Sequence, residues 1–380
     1  MNKNIIPEGT RDLTNEECLK KARAIKSINN VFNSWGYKEA ITPSIEFYEG
    51  FRYEYSGLKE ESVYKFFDSK GRILALRPDM TIPIVRLVST RFKDVEETIK
   101  IRYEATIYRV FEEFSGRRNE YTDCGIELIN KENEFADLEA LIIAIEALKA
   151  TGAKNFKIEI GEVNFFKAAI EALDIAEKDK LSLSILIEKK KIEELKKFLK
   201  RLDVEDNIKK TFYKLPLLFG EGVEILEKYK ELAFNTKMIN SINYLENIYK
   251  RLEALGYEEY ITFDLSITPR LNFYTGIIFR GYIEGSGGIV LSGGRYDDLI
   301  DSVKKGFKAI GFSINVDELS SILDLELPKE GKYIITFSKE NEIEALKKSM
   351  ELRKEGYVVE VIPSEELEGI NLKKEDYYGG

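Results

Sequence analysis

The stretch IKIRYEATIYRVF, starting at Ile99, places an apolar or aromatic residue at every second position as far as Ile107. That period of two marks a strand with one buried face. FSGRRNEY follows and carries a turn, and YTDCGIELI, residues 121–129, reads as the return strand. The two make a long antiparallel hairpin with polar side chains on one face. An antiparallel sheet is therefore the frame into which the rest of the chain has to fit.

The flanking segments agree with that frame. Residues 14–35 read as an amphipathic helix, with Thr14 as N-cap, Glu17 completing a capping box and Gly36 as the stop. YKEAITPSIE alternates into a strand that Pro43 confines to an edge. SVYKFFDSKGRILALRP reads as a hairpin, and MTIPIVRLVSTRF as a helix with Thr81 near its cap and Pro83 in its first turn. Residues 134–150 form a helix closed by Gly152, followed by the strand FKIEIG. ITPRLNFYTGIIFRGY, residues 267–282, reads as an aromatic strand, a Thr-Gly break and a second strand. Strands continue to SGGIVLSGGRYDDL, and a last helix covers about 314–323.

Between these strands the pattern changes. Residues 164–256 carry apolar side chains at helical spacing, alternating Lys and Glu, and little strand signal. This is a helical insert with one break, LPLLFGEG. The tail, residues 326–380, reads as a single βαβ unit: KYIITF, ENEIEALKKSMELRKEG and YVVEVI. The fold class is α+β: a core from 1–163 and 257–325, the insert at 164–256, and the short C-terminal α/β unit.

Composition narrows the chemistry. There is no histidine among the 380 residues, so no Ser-His or Cys-His pair and no His-ligated metal can form. A general base would have to be Asp, Glu, Lys or Tyr. Either the Lys/Ile/Asn/Glu-rich composition has drifted, or the protein is made when free histidine is scarce. The two cysteines, Cys18 and Cys124, lie far apart in sequence and suit a reducing compartment. No run approaches the roughly 18 apolar residues of a membrane span, and MNKNIIPEGTRDL has no apolar signal core. A cytoplasmic protein is expected. The net charge of −9 argues against a general nucleic-acid surface.

Four motifs stand out: PEGTRDL at 7–13, LRPDMT at 76–81, YRVFEEFSGRRNEYTDCGIEL at 108–128 and LSGGRYDDL at 291–299. Singly, each reads as a turn, a strand end or a solvated charge pair. In this order and spacing they resemble class II histidyl-tRNA synthetases over about residues 1–325. The resemblance implies a class II synthetase-like antiparallel sheet flanked by helices.

Three departures bear on catalysis. The family pattern Arg-Gly-Leu-Asp-Tyr-Tyr falls on Pro269, Arg270, Leu271, Asn272, Phe273 and Tyr274, so the catalytic arginine becomes Pro269. Arg270 sits one residue late, and on an extended backbone that slip turns it to the opposite face. The hairpin's Arg-x-Glu-Arg becomes Arg109, Val110, Phe111 and Glu112. In the last helix Glu318 stands where the family has an arginine for the ATP phosphates. One charge pair at ~4 Å and an effective dielectric of ~20 is worth about 4 kcal/mol, so a reversed charge there opposes amino-acid activation.

By the same resemblance, Asp79, Thr81 and Asp123 would hold a ligand ammonium, Arg109 a carboxylate or phosphate, and Glu127 an imidazole N–H, with Tyr274 closing over the ring. The plain alternative is that these acids are solvated or paired with Arg109 and Arg77. A synthetase body with these losses and a short tail is similar to the regulatory subunits of ATP phosphoribosyltransferase. That resemblance implies a homodimer assembling with a short-form catalytic subunit into a hetero-octamer. Histidine would be the effector and Mg²⁺ would serve the catalytic partner, with no cofactor in this chain, no membrane and no tRNA. An active histidyl-tRNA synthetase and a synthetase-like amino-acid-sensing binding protein are the alternatives.

Overall fold

The computed structural model describes residues 5–52, 58–111, 116–131, 134–173, 175–267, 273–324 and 329–378. After helix α1 (Asn15–Ser34) come β1 (Lys38–Glu39), β2 (Ile45–Phe47), β3 (Lys65–Phe67) and β4 (Ile73–Leu76). Helix α2 (Thr81–Arg91), β5 (Ile99–Tyr108), β6 (Glu120–Asn130), α3 (Glu134–Ala150) and β7 (Phe156–Glu162) follow. Helices α4 (Val163–Glu171), α5 (Glu177–Glu188), α6 (Ile192–Lys200), α7 (Asp206–Lys214), α8 (Gly222–Leu232) and α9 (Thr236–Glu253) form the helical stretch. Then come β8 (Ile261–Phe263), β9 (Ile277–Ile283), β10 (Leu291–Arg295), α10 (Asp297–Asp301), β11 (Lys308–Asn315) and α11 (Val316–Ile322).

Eight strands make one sheet in the order β1-β5-β6-β11-β10-β9-β7-β8. Its six central strands are antiparallel, and the outer pairs β1–β5 and β7–β8 are parallel. Alternation along the strands assigns the two faces. Ile126, opposite Phe312, points to the side of α1, where the Phe32 and Phe312 rings meet edge to face at 5.9 Å. Trp35 donates to Glu146 (2.7 Å) and Tyr37 to Glu139 (2.9 Å), tying the end of α1 to α3. On the other face Ile84 and Val88 of α2 pack with Tyr103 and Ile107 of β5. This second face carries the cavity described below.

The long hairpin and the capping box are present. Glu17 accepts from the Thr14 N–H at 2.9 Å, and Gly36 ends α1 with a φ of +82°. The hairpin of 65–76 turns through Gly71 at a φ of +75°. The break at LPLLFGEG holds one turn of 3₁₀ helix and an isolated bridge from Gly220 to Phe263.

Four expectations need correction. YKEAITPSIE is not one strand: β1 joins the large sheet and β2 a small sheet of order β2-β4-β3. Pro43 has no N–H for a ladder, and the Arg77 guanidinium caps the Thr42 carbonyl (2.8 Å) at that break. The segment KAIGFSIN, ahead of the last helix, is strand β11, inserted between β6 and β10. Four successive buried residues, Ala309, Ile310, Gly311 and Phe312, hide a strand covered on both faces. The aromatic beginning of ITPRLNFYTGIIFRGY falls partly outside the described residues, as do Pro269, Arg270 and Glu112. Residues 273–276 are a turn, and the strand begins at Ile277.

The tail contains more than βαβ. Strand β12 (Lys329–Phe337) pairs in parallel with β13 (Val358–Pro363) across helix α12 (Glu342–Lys354), and antiparallel with β14 (Ile370–Tyr378). The charged run LKKED hid this third strand. The chain divides into two compact units, Met1–Asp12 with Arg23–Leu323, and Leu13–Ala22 with Asp324–Gly380. The smaller unit has its own core of Ile335, Phe337, Ala345 and Val359.

Candidate functional site

The floor of the cavity is main chain. On the α2 face of the sheet, Gly125, Gly294 and Gly311 lie side by side in β6, β10 and β11. A Cβ on Gly125 would collide with the Tyr103 ring, and one on Gly311 with the Glu127 carboxylate. One on Gly294 would come within 2.8 Å of the Tyr274 ring. These close approaches bring the walls inward around a cavity of about 240 Å³. Asp79, Thr81, Arg109, Asp123, Glu127 and Tyr274 all line it. Asp123 and Glu127 project from alternate positions of β6, and Thr81 opens α2. Asp79 precedes α2 and accepts from the Ile82 N–H at 3.3 Å.

Two of the three acids, Asp123 and Glu127, are buried, and Asp79 is half-buried. Glu127 is 2% exposed; its Oε2 accepts from the Tyr296 hydroxyl (2.6 Å) and its Oε1 from Thr81 Oγ1 (3.4 Å). Burial pushes the Glu127 carboxyl up to about 8, against the pull of those two hydrogen bonds. Burial likewise pushes Asp123 up to about 7, while a hydrogen bond from Ser313 and the Arg109 charge draw it down. Arg109 donates from Nη2 to the Pro78 carbonyl (2.7 Å). Its buried Nε has no hydrogen-bond partner among the described residues. Arg77 plays no part in pairing these acids: it is buried and donates to the carbonyls of Thr106 (2.8 Å) and Thr42 (2.8 Å).

Tyr274 stands in the turn at 273–276 that leads into β9. Phe273 beside it stacks on Tyr296 with ring centroids 6.0 Å apart. Two contributors were missed in the sequence. Tyr296, within the quoted motif GGRYDDL, is the donor to Glu127, and Ser313 comes from the unrecognised strand β11. For Tyr296 the signal was available, since the motif's tyrosine follows a strand that ends beside the hairpin.

A second cavity of about 340 Å³ adjoins the first and shares Arg109, Tyr121 and Asp123 with it. Asp317 and Glu318, at the start of α11, line its far side. Asp317 accepts from the Thr122 N–H (2.7 Å) and Glu318 from the Ser286 hydroxyl (2.7 Å). Arg117 and Arg118 line this space too, and Arg118 lies 3.6 Å from the Asp317 carboxylate, so acids and guanidinium groups share it. Among the described residues no cluster of three His, Cys, Asp or Glu side chains could hold a metal ion. No helix among them is long and apolar enough to cross a membrane.

Comparison with known proteins agrees with this architecture. The family model described as histidyl-tRNA synthetase matches residues 9–319. An ATP phosphoribosyltransferase regulatory subunit of Caldanaerobacter subterraneus subsp. tengcongensis is 39% identical over 377 residues, covering 98% of this chain and 97% of that protein. One from Clostridium botulinum (strain Langeland) is 40% identical, covering 88% and 81%. A crystal structure from Bacillus halodurans C, described as an ATP phosphoribosyltransferase regulatory subunit/histidyl-tRNA synthetase, superposes with a TM-score of 0.86 at 29% identity, covering 97% and 94%. A histidyl-tRNA synthetase from Nostoc sp. PCC 7120 shares the fold, with a TM-score of 0.75 at 21% identity over 96% of this chain and 86% of that one. The chain therefore belongs to the ATP phosphoribosyltransferase regulatory subunit family, on a histidyl-tRNA synthetase-like fold.

Proposed function

We propose that this chain is a non-catalytic subunit that a short-form ATP phosphoribosyltransferase catalytic subunit requires for activity, and that it transmits histidine inhibition of the first step of histidine biosynthesis. The observation that carries the reading is the small cavity in which Asp79, Asp123 and Glu127 gather with the Arg109 guanidinium. At about 240 Å³ it is smaller than the roughly 300–1,000 Å³ of sites for drug-sized ligands, which suits one amino acid. Asp79, Thr81 and Asp123 take the ammonium, the Arg109 Nε takes the carboxylate, Glu127 takes the imidazole N–H and Tyr274 covers the ring.

The acids on the second cavity support the non-catalytic part. Adenylation needs cations against developing phosphate charge; here Asp317 and Glu318 line the space beyond Arg109, and Asp317 lies 3.6 Å from Arg118, one of the two other arginines there. The chain acts as a homodimer within a hetero-octamer in the cytoplasm, and Mg²⁺ serves the catalytic partner. With a net charge of −9 it makes no tRNA complex. Inhibition is then a coupling free energy between the histidine cavity and the partner's active site.

The test reconstitutes the complex with the short catalytic subunit and measures the histidine inhibition constant for Glu127→Ala. Loss of that buried hydrogen bond should raise it roughly tenfold. An unchanged constant would place the effector elsewhere. Histidine-dependent pyrophosphate exchange by the purified chain would restore the synthetase reading.

A further inference from the structure

The turn that carries Tyr274 has all three of its successive carbonyls held by one short helix. Lys167 Nζ donates to the Tyr274 carbonyl (2.8 Å), Asn164 Nδ2 to the Thr275 carbonyl (3.0 Å) and the Val163 N–H to the Gly276 carbonyl (3.2 Å). All three donors lie in the first five residues of α4, and Glu162 at the end of β7 caps that helix by accepting from the Asn164 N–H (2.9 Å). The other side of the turn is fixed to the sheet: the Thr275 N–H donates to the Arg295 carbonyl (2.8 Å), and Thr275 Oγ1 accepts from the Asp297 N–H (2.8 Å). There is no slack at Gly276, where an added Cβ would lie 2.9 Å from Arg295 Cδ.

The far end of this arrangement lies in the helical stretch. Asn235, the N-cap of α9, donates to the Ala168 carbonyl of α4 (3.0 Å). The Tyr244 hydroxyl of α9 bonds Asp137, which also pairs with Arg295. The turn under Tyr274 thus touches the helical stretch twice, directly through α4 and indirectly through Arg295, Asp137 and Tyr244.

We propose that α4 is the element that sets the height of Tyr274 over the cavity and links its position to the helical stretch, with Lys167 and Asn164 as positioning residues. This deepens the histidine reading above and rests on it for the identity of the ligand. A side chain that closes on a ligand pulls on its own main chain, and here each carbonyl of that main chain is attached to α4. Closure is therefore not free to occur in the turn alone.

Two measurements on the full chain test the assignment. The first uses no ligand: hydrogen exchange is followed on the peptides covering Thr275 and Asp297 in the wild type, Lys167→Met and Asn164→Ala. Faster exchange there, with β6 and β11 unchanged, is expected; exchange equal to the wild type overturns the proposal whether or not histidine binds. The second is calorimetry with histidine. Lys167→Met should bind roughly tenfold more weakly, and that penalty should vanish in a Tyr274→Ala background, because Lys167 acts only through the turn. A penalty that persists undiminished without the Tyr274 ring marks a merely structural lysine and overturns the positioning role. Failure of the wild type to bind histidine overturns the ligand assignment, and the exchange experiment still decides the role of α4.

Discussion

A buried acid kept protonated at neutral pH leaves a thermodynamic trace, and Glu127→Gln should erase it. The folded chain holds the Glu127 proton until about pH 8, whereas an exposed glutamate releases it near 4.5. Across that interval the folded state binds more protons than the unfolded state, so stability falls as pH rises. At about 1.4 kcal/mol per tenfold difference in proton affinity, the Glu127 contribution has an upper bound of about 5 kcal/mol. Glutamine keeps an oxygen for the Tyr296 hydroxyl and has no proton to lose. The assay is urea unfolding at pH 5 to 9, followed by the fluorescence of Trp35. This is the sole tryptophan, it lies in the larger unit, and its indole is bonded to Glu146. Wild-type stability should drop through this range, and the variant should drop less, with the gap widening from pH 5 to 8. The remaining slope belongs in part to Asp123, raised to about 7. Parallel pH curves for the two proteins would refute the argument.

Two further outcomes follow from the same geometry. Histidine affinity, read by calorimetry, should rise between pH 6 and 8, because an imidazole N–H is best accepted by the ionised Glu127 and that ionisation is half complete near pH 8; a profile that falls with pH would exclude this pairing. Arg77→Met should destabilise the larger unit by about 3 kcal/mol in urea, since it strands the Thr42 and Thr106 carbonyls at a sheet junction; a loss within experimental error would mean water replaces the guanidinium.

Much of this fold could be read from period-two and helical patterns where one face is buried. The 99–129 hairpin, α1 with its capping box, and the helical stretch after residue 163 all carried such patterns. Strand β11 did not, because both its faces are covered and Ala309, Ile310, Gly311 and Phe312 are buried in succession without alternation. Strand β14 was hidden for the opposite reason: it is an edge strand whose middle is the charged run Lys373, Lys374, Glu375 and Asp376. In the cavity, all six candidate residues meet because β5, β6, α2 and the turn before β9 bring them to one side of the sheet. Tyr296, Ser313 and the α4 clamp depend on contacts between residues far apart in the chain, such as Tyr296 with Glu127 and Lys167 with Tyr274. No local pattern encodes such pairings.

The three adjoining glycines give the protein a receptacle whose bottom is peptide backbone. Any point substitution there adds at least a methyl group and drives it into Tyr103, Tyr274 or Glu127. The bowl's contour is thus hard to alter by small steps, whereas the groups on its rim can be exchanged one at a time. A lineage built on such a bowl can trade one occupation for another by redecorating the rim, while the outline that an amino acid sees stays where it was.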